Sequence, residues 1–194
     1  MITDCLSFEE KKLIKIIHFK IGEILFYEND ICESVGIVVD GEIKISSMTF
    51  EGNEIIYNTL TKGSIFGNNL LFSSDNKYRG DVRGVTKGTL YLINKNNLIK
   101  LLMSNESFLI EYLAIGSTFS KSLNTKIKLL SFTNAKERFL YYLFIHNNKI
   151  TIKSVTDLAH ELYLTREVTS RLISSLIKEN VISRNDKVIT LVDE

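Results

Sequence analysis

The feature that most constrains the fold is a change of hydrophobic period near residue 96. From about Lys20 to Asn94 the apolar residues come in short β-rich runs cut by glycine: GEILFYE, SVGIVVDGEIKISSM, NEIIYNTL, GSIFG and GTLYLIN. Asp40-Gly41 is a strong hairpin signal, because such turns need φ > 0 and glycine supplies it without strain. Glu51-Gly52-Asn53 and Lys62-Gly63 read as further turns. Strands recurring at intervals of about ten residues predict an antiparallel sandwich, barrel or jelly roll. Ahead of them Leu13, Ile14, Ile16 and Ile17 suggest a short helix over 8–18. From Asn96 the period lengthens to about 3.6, predicting a short helix over 97–103 and a long one over 106–131. Phe108, Tyr112, Ile115, Phe119, Leu123, Ile127 and Leu130 form one stripe of nearly heptad spacing on the long helix. That helix would span roughly 37 Å, more than a small β-domain needs on one face. Its first turns are expected on the sheet and its later turns in a two-stranded coiled coil. Strands first and helices after make the class α+β.

Ser131-Phe132-Thr133-Asn134 interrupts the helical pattern. Thr133 or Asn134 can cap the next helix, roughly 135–147, with Glu137 three residues after Asn134. This apolar helix is expected to be the core of a second domain, so the divisions expected are 1–105, 106–132 and 133–194. Ser154 can cap VTDLAHEL; a short turn at Tyr163-Leu164 follows, and Thr165 can cap REVTSRLISSLIKEN. VISRNDKVITLV then reads as two strands around Arg184-Asn185-Asp186-Lys187. Helix, tight turn, capped helix and β-hairpin is the plan of a winged helix-turn-helix.

On the second of these helices Val168, Leu172, Ile173, Leu176 and Ile177 are expected to pack inward. Arg166, Glu167, Ser170 and Arg171 then face outward at the N-terminal end, the end that enters the major groove in this motif. Arginine can bond guanine O6 and N7 together, and glutamate can accept from cytosine N4. Thr165 and the free N–H groups of the first turn suit a phosphate. Lys178, Arg184 and Lys187 would meet backbone further out. A solvated charged face is the competing reading of Arg166, Glu167 and Arg171.

Bulk charge does not decide between the two. The formal net charge is +1, and neither part is strongly basic: residues 1–133 hold 15 Lys+Arg against 15 Asp+Glu, and 134–194 hold 9 against 8. Any case for DNA rests on where a few basic residues sit. The N-terminus, MITDCLSFEEKK, is acidic and polar, unlike a secretory signal. No run reaches the roughly 18 uncharged apolar residues of a membrane span. Cys5 and Cys32 are too few for a disulfide framework and lack metal-ligand spacing. Two reduced thiols in a cytoplasmic protein are expected.

LTREVTSRLISSLIKENVI resembles the recognition helix of the Crp/Fnr family of bacterial transcription regulators, relatives of catabolite activator protein. FKIGEILFYEND, GIVVDGEIKI, EGNEIIYNTLTKGSIFGNNLLF and the long helix have counterparts in the family's order, so the resemblance spans nearly the whole chain. It implies an N-terminal double-stranded β-helix (a jelly roll like a cyclic-nucleotide-binding domain), a dimerisation helix and a C-terminal winged helix-turn-helix. The family's base-reading positions fall on Arg166, Glu167, Ser170 and Arg171. Tyr163 stands where the turn often has glycine, at a cost on the order of 1–2 kcal/mol if the position is left-handed.

The resemblance also frames the sensor. Cyclic-nucleotide members use a Gly-Glu pair and a downstream arginine to hold ribose and phosphate. Here the pair is Gly67-Asn68, Tyr78 falls at the arginine position, and Arg79 comes one residue late. The purine-contacting positions fall near Leu123 and Asn124, and Leu123 offers no hydrogen bond. A buried phosphate that loses its charged partner typically costs several kcal/mol, so the departures argue against cyclic AMP. A shifted loop using Arg79 and Arg83 for another anion stays open. Two cysteines cannot hold an iron–sulfur cluster, and His18 is a haem ligand only by elimination. A jelly-roll enzyme would need a His/Glu metal cluster, and His18 is the only histidine before residue 146. The expectation is a non-enzymatic regulator without cofactor: a homodimer on double-stranded DNA, contacting RNA polymerase if it activates. Its signal is a small molecule other than cyclic AMP, or none. The alternative is a cyclic-nucleotide-dependent regulator or ligand-binding module with Arg79 on the phosphate.

Overall fold

The computed structural model describes residues 1–192. The chain divides into two compact units, Met1–Thr118 and the residues from Phe119 onward. The division falls inside a helix, at neither boundary expected from the sequence.

In the first unit a 3₁₀ turn, Ile2–Cys5, and a one-turn helix α1, Phe8–Lys11, precede the strands. Ser7 caps α1, its Oγ accepting from Glu10 N at 3.3 Å while the Glu10 carboxylate accepts from Ser7 N at 2.8 Å. The helix expected over 8–18 stops there. Lys15–Phe19 is instead β1, paired antiparallel along β8, Gly88–Asn94. Ile17 and Phe19 point into the roll while Ile16 and His18 face out, so the true period is two. The adjacent pairs Leu13-Ile14 and Ile16-Ile17 imitate a helical stripe because strand and turn meet between them.

The other strands are β2 (Ile24–Phe26), β3 (Ser34–Asp40), β4 (Ile43–Met48), β5 (Glu54–Leu60), β6 (Ile65–Phe66) and β7 (Asp81–Gly84). They form two antiparallel four-stranded sheets, β1-β8-β3-β6 and β2-β7-β4-β5, the strand order of a jelly roll. The strand spacing anticipated that architecture but not β7, whose four residues carry little apolar text. The Asp40-Gly41 expectation is corrected in kind. β3 and β4 do not pair with each other; Gly41, at φ 82°, turns the chain from one sheet to the other. A Cβ there would lie 2.5 Å from Lys87 O and 2.8 Å from Gly88 Cα, so the crossing strands leave room only for glycine. Glu51-Gly52-Asn53 does close a hairpin, between β4 and β5.

The roll interior holds Phe19, Cys32, Val38, Ile43, Leu60, Phe66, Tyr78, Val82, Leu90 and Leu92. A second cluster covers the outer face of the first sheet, where α2 (Lys95–Ser104) and the start of α3 (Glu106–Ser131) pack Leu98, Leu101 and Phe108 on Val35, Ile37 and Ile93. β3 and β8 are therefore buried on both faces, which is why GIVV and LYLI read as continuous apolar runs rather than alternating ones.

The second unit begins within α3. After Ser131 come α4 (Ala135–Ile145), β9 (Lys149–Thr151), α5 (Val155–Leu162), α6 (Arg166–Lys178), β10 (Ile182–Asn185) and β11 (Val188–Leu191). Asn134 caps α4 through Lys136 N, so Thr133 is not the cap. The strands make a small antiparallel sheet, β10-β11-β9; β9, three residues long, was too short to read. Phe139, Leu143, Leu158, Leu162, Ile173, Leu176, Ile182 and Ile189 form its core, each such side chain contributing roughly 1.5–3 kcal/mol by burial. Among the described residues no helix is long and apolar enough to cross a membrane.

Candidate nucleic-acid interface

α5 and α6 meet at a tight, fully specified turn. Ser154 opens α5, its Oγ accepting from Asp157 N at 3.1 Å and donating to Asp157 Oδ2 at 2.6 Å. The helix ends at Tyr163, which is left-handed at φ 54°, ψ 43°. Leu164 N donates to Ala159 O at 2.9 Å and Tyr163 N to His160 O at 3.1 Å, the pairing of a Schellman motif, with Leu164 half-buried against the core. Tyrosine here accepts the strain that glycine would avoid. Lys126 Nζ lies 5.0 Å from its ring centroid, a cation–π contact that offsets part of the cost. Thr165 then caps α6, its Oγ1 accepting from Val168 N at 3.2 Å.

α6 buries Thr169, Ile173 and Leu176, with Leu172 half-buried. The inward face therefore differs from the expected one at two positions: Val168 is 37% exposed and Ile177 is 42% exposed. The buried face is narrower than the purely apolar assignment rather than rotated from it: Thr169 lies between Leu176 and Ile173 at the centre of the arc, and Val168 and Ile177 lie at its two edges. The Thr169 Oγ1 is buried without a hydrogen-bond partner.

Arg166, Glu167, Ser170 and Arg171 are all exposed and together line a surface concavity of about 310 Å³. Among the described residues no ion pair engages Arg166, Glu167 or Arg171. Glu167 and Arg171 are four residues apart in the order that favours pairing, yet they stay open. Lys178 is exposed on the same helical stripe, two turns beyond Arg171. Arg184 and Lys187 are exposed at the β10–β11 turn. Arg184 Nε donates to Asp186 O at 2.9 Å, which holds its side chain against its own turn. Thr165 Oγ1 accepts for the cap, which leaves its O–H and the first-turn backbone N–H groups as the donors available to an anion.

Sequence reasoning passed over Arg138. Half-buried on α4, it donates from Nη2 to Phe132 O at 2.6 Å and from Nη1 to Leu162 O at 3.1 Å and Tyr163 O at 3.3 Å. The available signal was one arginine next to Phe139, where the polar start of the helix (Lys136, Glu137) gives way to an apolar run.

In the roll, Gly67 is buried at φ 77°; a Cβ there would lie 2.8 Å from Ser34 O and 3.0 Å from Cys32 Sγ. Asn68 follows, half-buried. Tyr78 is buried beside Cys32, its ring stacked on Phe26 at 4.9 Å, and its hydroxyl has no hydrogen-bond partner. Burial, then the neighbouring Cys32, pushes the phenol far above its ordinary value. Arg79 points the other way and pairs with Asp75 at 2.6 Å on the surface. Arg83 alternates with the buried Val82 and lies 3.7 Å from Asp81. Gly67 and Tyr78 thus come together around Cys32, and neither arginine joins them. Leu123 and Asn124 are exposed on α3 in the second unit. His18 lies on β1 rather than at a helix end, its Nδ1 3.1 Å from Thr89 Oγ1. Burial, then the charge of Glu111, raises the Cys5 thiol above its ordinary value, the reverse of a reactive cysteine. Among the described residues no three His, Cys, Asp or Glu cluster as a metal site.

Residues 16–105 match the cyclic nucleotide-binding domain family. The anaerobic regulatory protein of Bacillus subtilis is 28% identical over 171 residues, 82% of this chain and 71% of that protein. Among solved structures, catabolite activator protein from Thermus thermophilus aligns over 98% of this chain and 93% of its own, at 18% identity and a TM-score of 0.57. A CooA variant from Carboxydothermus hydrogenoformans aligns over 94% and 85%, at 19% identity and a TM-score of 0.63.

Proposed function

We infer that this chain, a Crp/Fnr-family regulator and not an enzyme, reads double-stranded DNA as a homodimer through the N-terminal end of α6. The observation that carries this is the set Arg166, Glu167, Ser170 and Arg171, exposed and unpaired on a capped helix that a left-handed turn fixes against α5. α5, α6 and the β10–β11 hairpin are a winged helix-turn-helix, with 133–194 as the reading domain, 106–132 as dimerisation helix and hinge, and 1–105 as the sensor roll. Thr165 and the first-turn N–H groups take phosphate, and Lys178, Arg184 and Lys187 flank it. Phe119, Leu123, Ile127 and Leu130 are exposed along α3 and are the dimer seam. Phe108, Tyr112 and Ile115 are occupied by the roll. A dimer of this kind places two reading helices about 34 Å apart on a near-palindromic site.

The roll answers to a signal other than cyclic AMP, or to none. A cyclic phosphate needs a cation facing it, and Arg79 and Arg83 both stand outside the interior. Fluorescence anisotropy on the chain's own promoter DNA, at fixed salt and with or without cyclic AMP, tests both parts. Tight, sequence-selective binding without nucleotide is expected. Binding that appears only with cyclic AMP would overturn the sensor reading and make Arg79 the first residue to substitute; no selectivity in either state would remove the DNA assignment.

A further inference from the structure

We propose that Arg138 is a positioning residue that fixes the orientation of the reading helix relative to the end of α3; this rests on the DNA-reading assignment above. The residues involved all lie in the second unit. Carbonyls at a helix C-terminus have no intrahelical partner and carry the negative end of the helix dipole. Two such ends converge on one guanidinium. Phe132 O, one residue past α3, takes Nη2, while Leu162 O and Tyr163 O, at the end of α5, take Nη1. A planar fork can span both ends at once; an ammonium, a point donor on a flexible stem, cannot hold that geometry.

Three further contacts brace the same joint. Lys126 of α3 covers the Tyr163 ring, Lys128 lies 4.7 Å from the Tyr141 ring centroid, and the Phe132 and Tyr141 rings stand 5.3 Å apart. Tyr163 is the left-handed residue of the turn, and α6 starts three residues later at Arg166. A rotation of the α3 end therefore moves the base of the reading helix through short, stiff links. Without the fork the turn still forms, but the reading helix loses its fixed bearing on the dimer axis.

The consequence is read in half-site spacing. For the wild-type chain, adding one base pair between half-sites should cost about tenfold or more in affinity, because two rigid heads must meet both at once. Arg138→Met should bind a single half-site with unchanged affinity, bind the natural site about tenfold more weakly, and lose less than about threefold more on the lengthened site. Arg138→Lys, which keeps the charge, should behave like Arg138→Met; it also carries the test if the methionine variant unfolds. A spacing penalty equal to wild type overturns the proposal. So does a half-site loss as large as the loss on the full site, which would make Arg138 a mere support of the reading domain. A DNA-free readout separates this from failure of the DNA assignment. Nitroxides at Ser122→Cys and Glu161→Cys, with Cys5→Ser and Cys32→Ala and labelled chains diluted in unlabelled ones, report the α3–α5 distance. A narrow distribution that broadens in Arg138→Met supports the strut even if no duplex is bound selectively. An unbroadened distribution refutes it.

Discussion

Thr169 shows how single residues set the reading surface. It is fully buried on α6 and its hydroxyl has no partner, an arrangement that costs on the order of 1–3 kcal/mol relative to a satisfied group. Valine has nearly the same shape without the hydroxyl. Thr169→Val should therefore stabilise the chain by about 1 kcal/mol, seen as a higher denaturant midpoint with an unchanged slope; a lower midpoint would mean that the hydroxyl has a partner in solution. The sequence made this residue invisible, because a threonine between Val168 and Ser170 reads as surface and Val168 as core. Helix geometry reversed the two, since Thr169 lies between Ile173 and Leu176 at the centre of the buried arc and Val168 at its edge. The charged residues were easier to place, since hydration holds them outside whatever the helix rotation. Of these Arg171 has the sharpest consequence. Arg171→Ala should cost about 1–3 kcal/mol on the preferred site and relax preference at one base pair. Equal loss on every duplex would assign Arg171 to phosphate alone.

Among the elements, the roll was legible where local chemistry decides and illegible where long-range pairing decides. Gly41 and Gly52 mark true turns, at φ 82° each. Only Gly52 closes a hairpin, because the partner of a strand is chosen by packing and not by its turn. Gly36 on β3 shows the same long-range control. It pairs with Phe66 of β6, and a Cβ on it would stand 2.1 Å from the Phe66 ring. Gly36→Ala should drive that ring into a full interior at a cost of about 1–3 kcal/mol. Phe66→Leu should remove part of that cost, giving a favourable coupling in a double-mutant cycle; simple additivity would show that the ring does not limit the site. The β4–β5 hairpin carries an acid-sensitive lock. Glu54 accepts from Lys44 Nζ and from Ser46 Oγ, each at 2.7 Å. These bonds, that of Lys44 first, hold its carboxyl below its ordinary 4.5. A folded-state value below the unfolded one gives stability that is present above pH 4.5 and is lost as pH falls through the folded value. Thermal midpoints from pH 6 to 3 should fall less steeply for Glu54→Gln than for wild type. Identical slopes would place the carboxylate in water.

At the scale of the whole molecule the chain has little to show by charge. A net charge of +1 provides no long-range pull toward DNA, so in the proposed dimer the affinity is expected from two reading heads acting together. One head's contacts become a regulator's affinity only if a second head is held at the right distance, since the second contact then forms at high effective concentration. That places the weight on the exposed part of α3. Ile127 is 65% exposed there, in line with Phe119, Leu123 and Leu130. The heptad spacing made the stripe readable, but not where the roll stops using it, because burial of Phe108 depends on β3, which is distant in sequence. Ile127→Lys should leave the folding of either unit intact, because the side chain touches neither core. It should shift sedimentation from dimer to monomer and weaken binding to a two-half-site duplex by about 100-fold or more. Affinity for one half-site should hardly change. The salt dependence should fall with it, since a monomer neutralises about half as many phosphates and the slope of log K against log salt follows that number. If Ile127→Lys stays dimeric with unaltered affinity, the seam lies elsewhere and the exposed stripe has another partner. If it becomes monomeric yet binds the full site as before, the second head adds nothing. Base contacts from a single α6 would then have to supply the whole affinity.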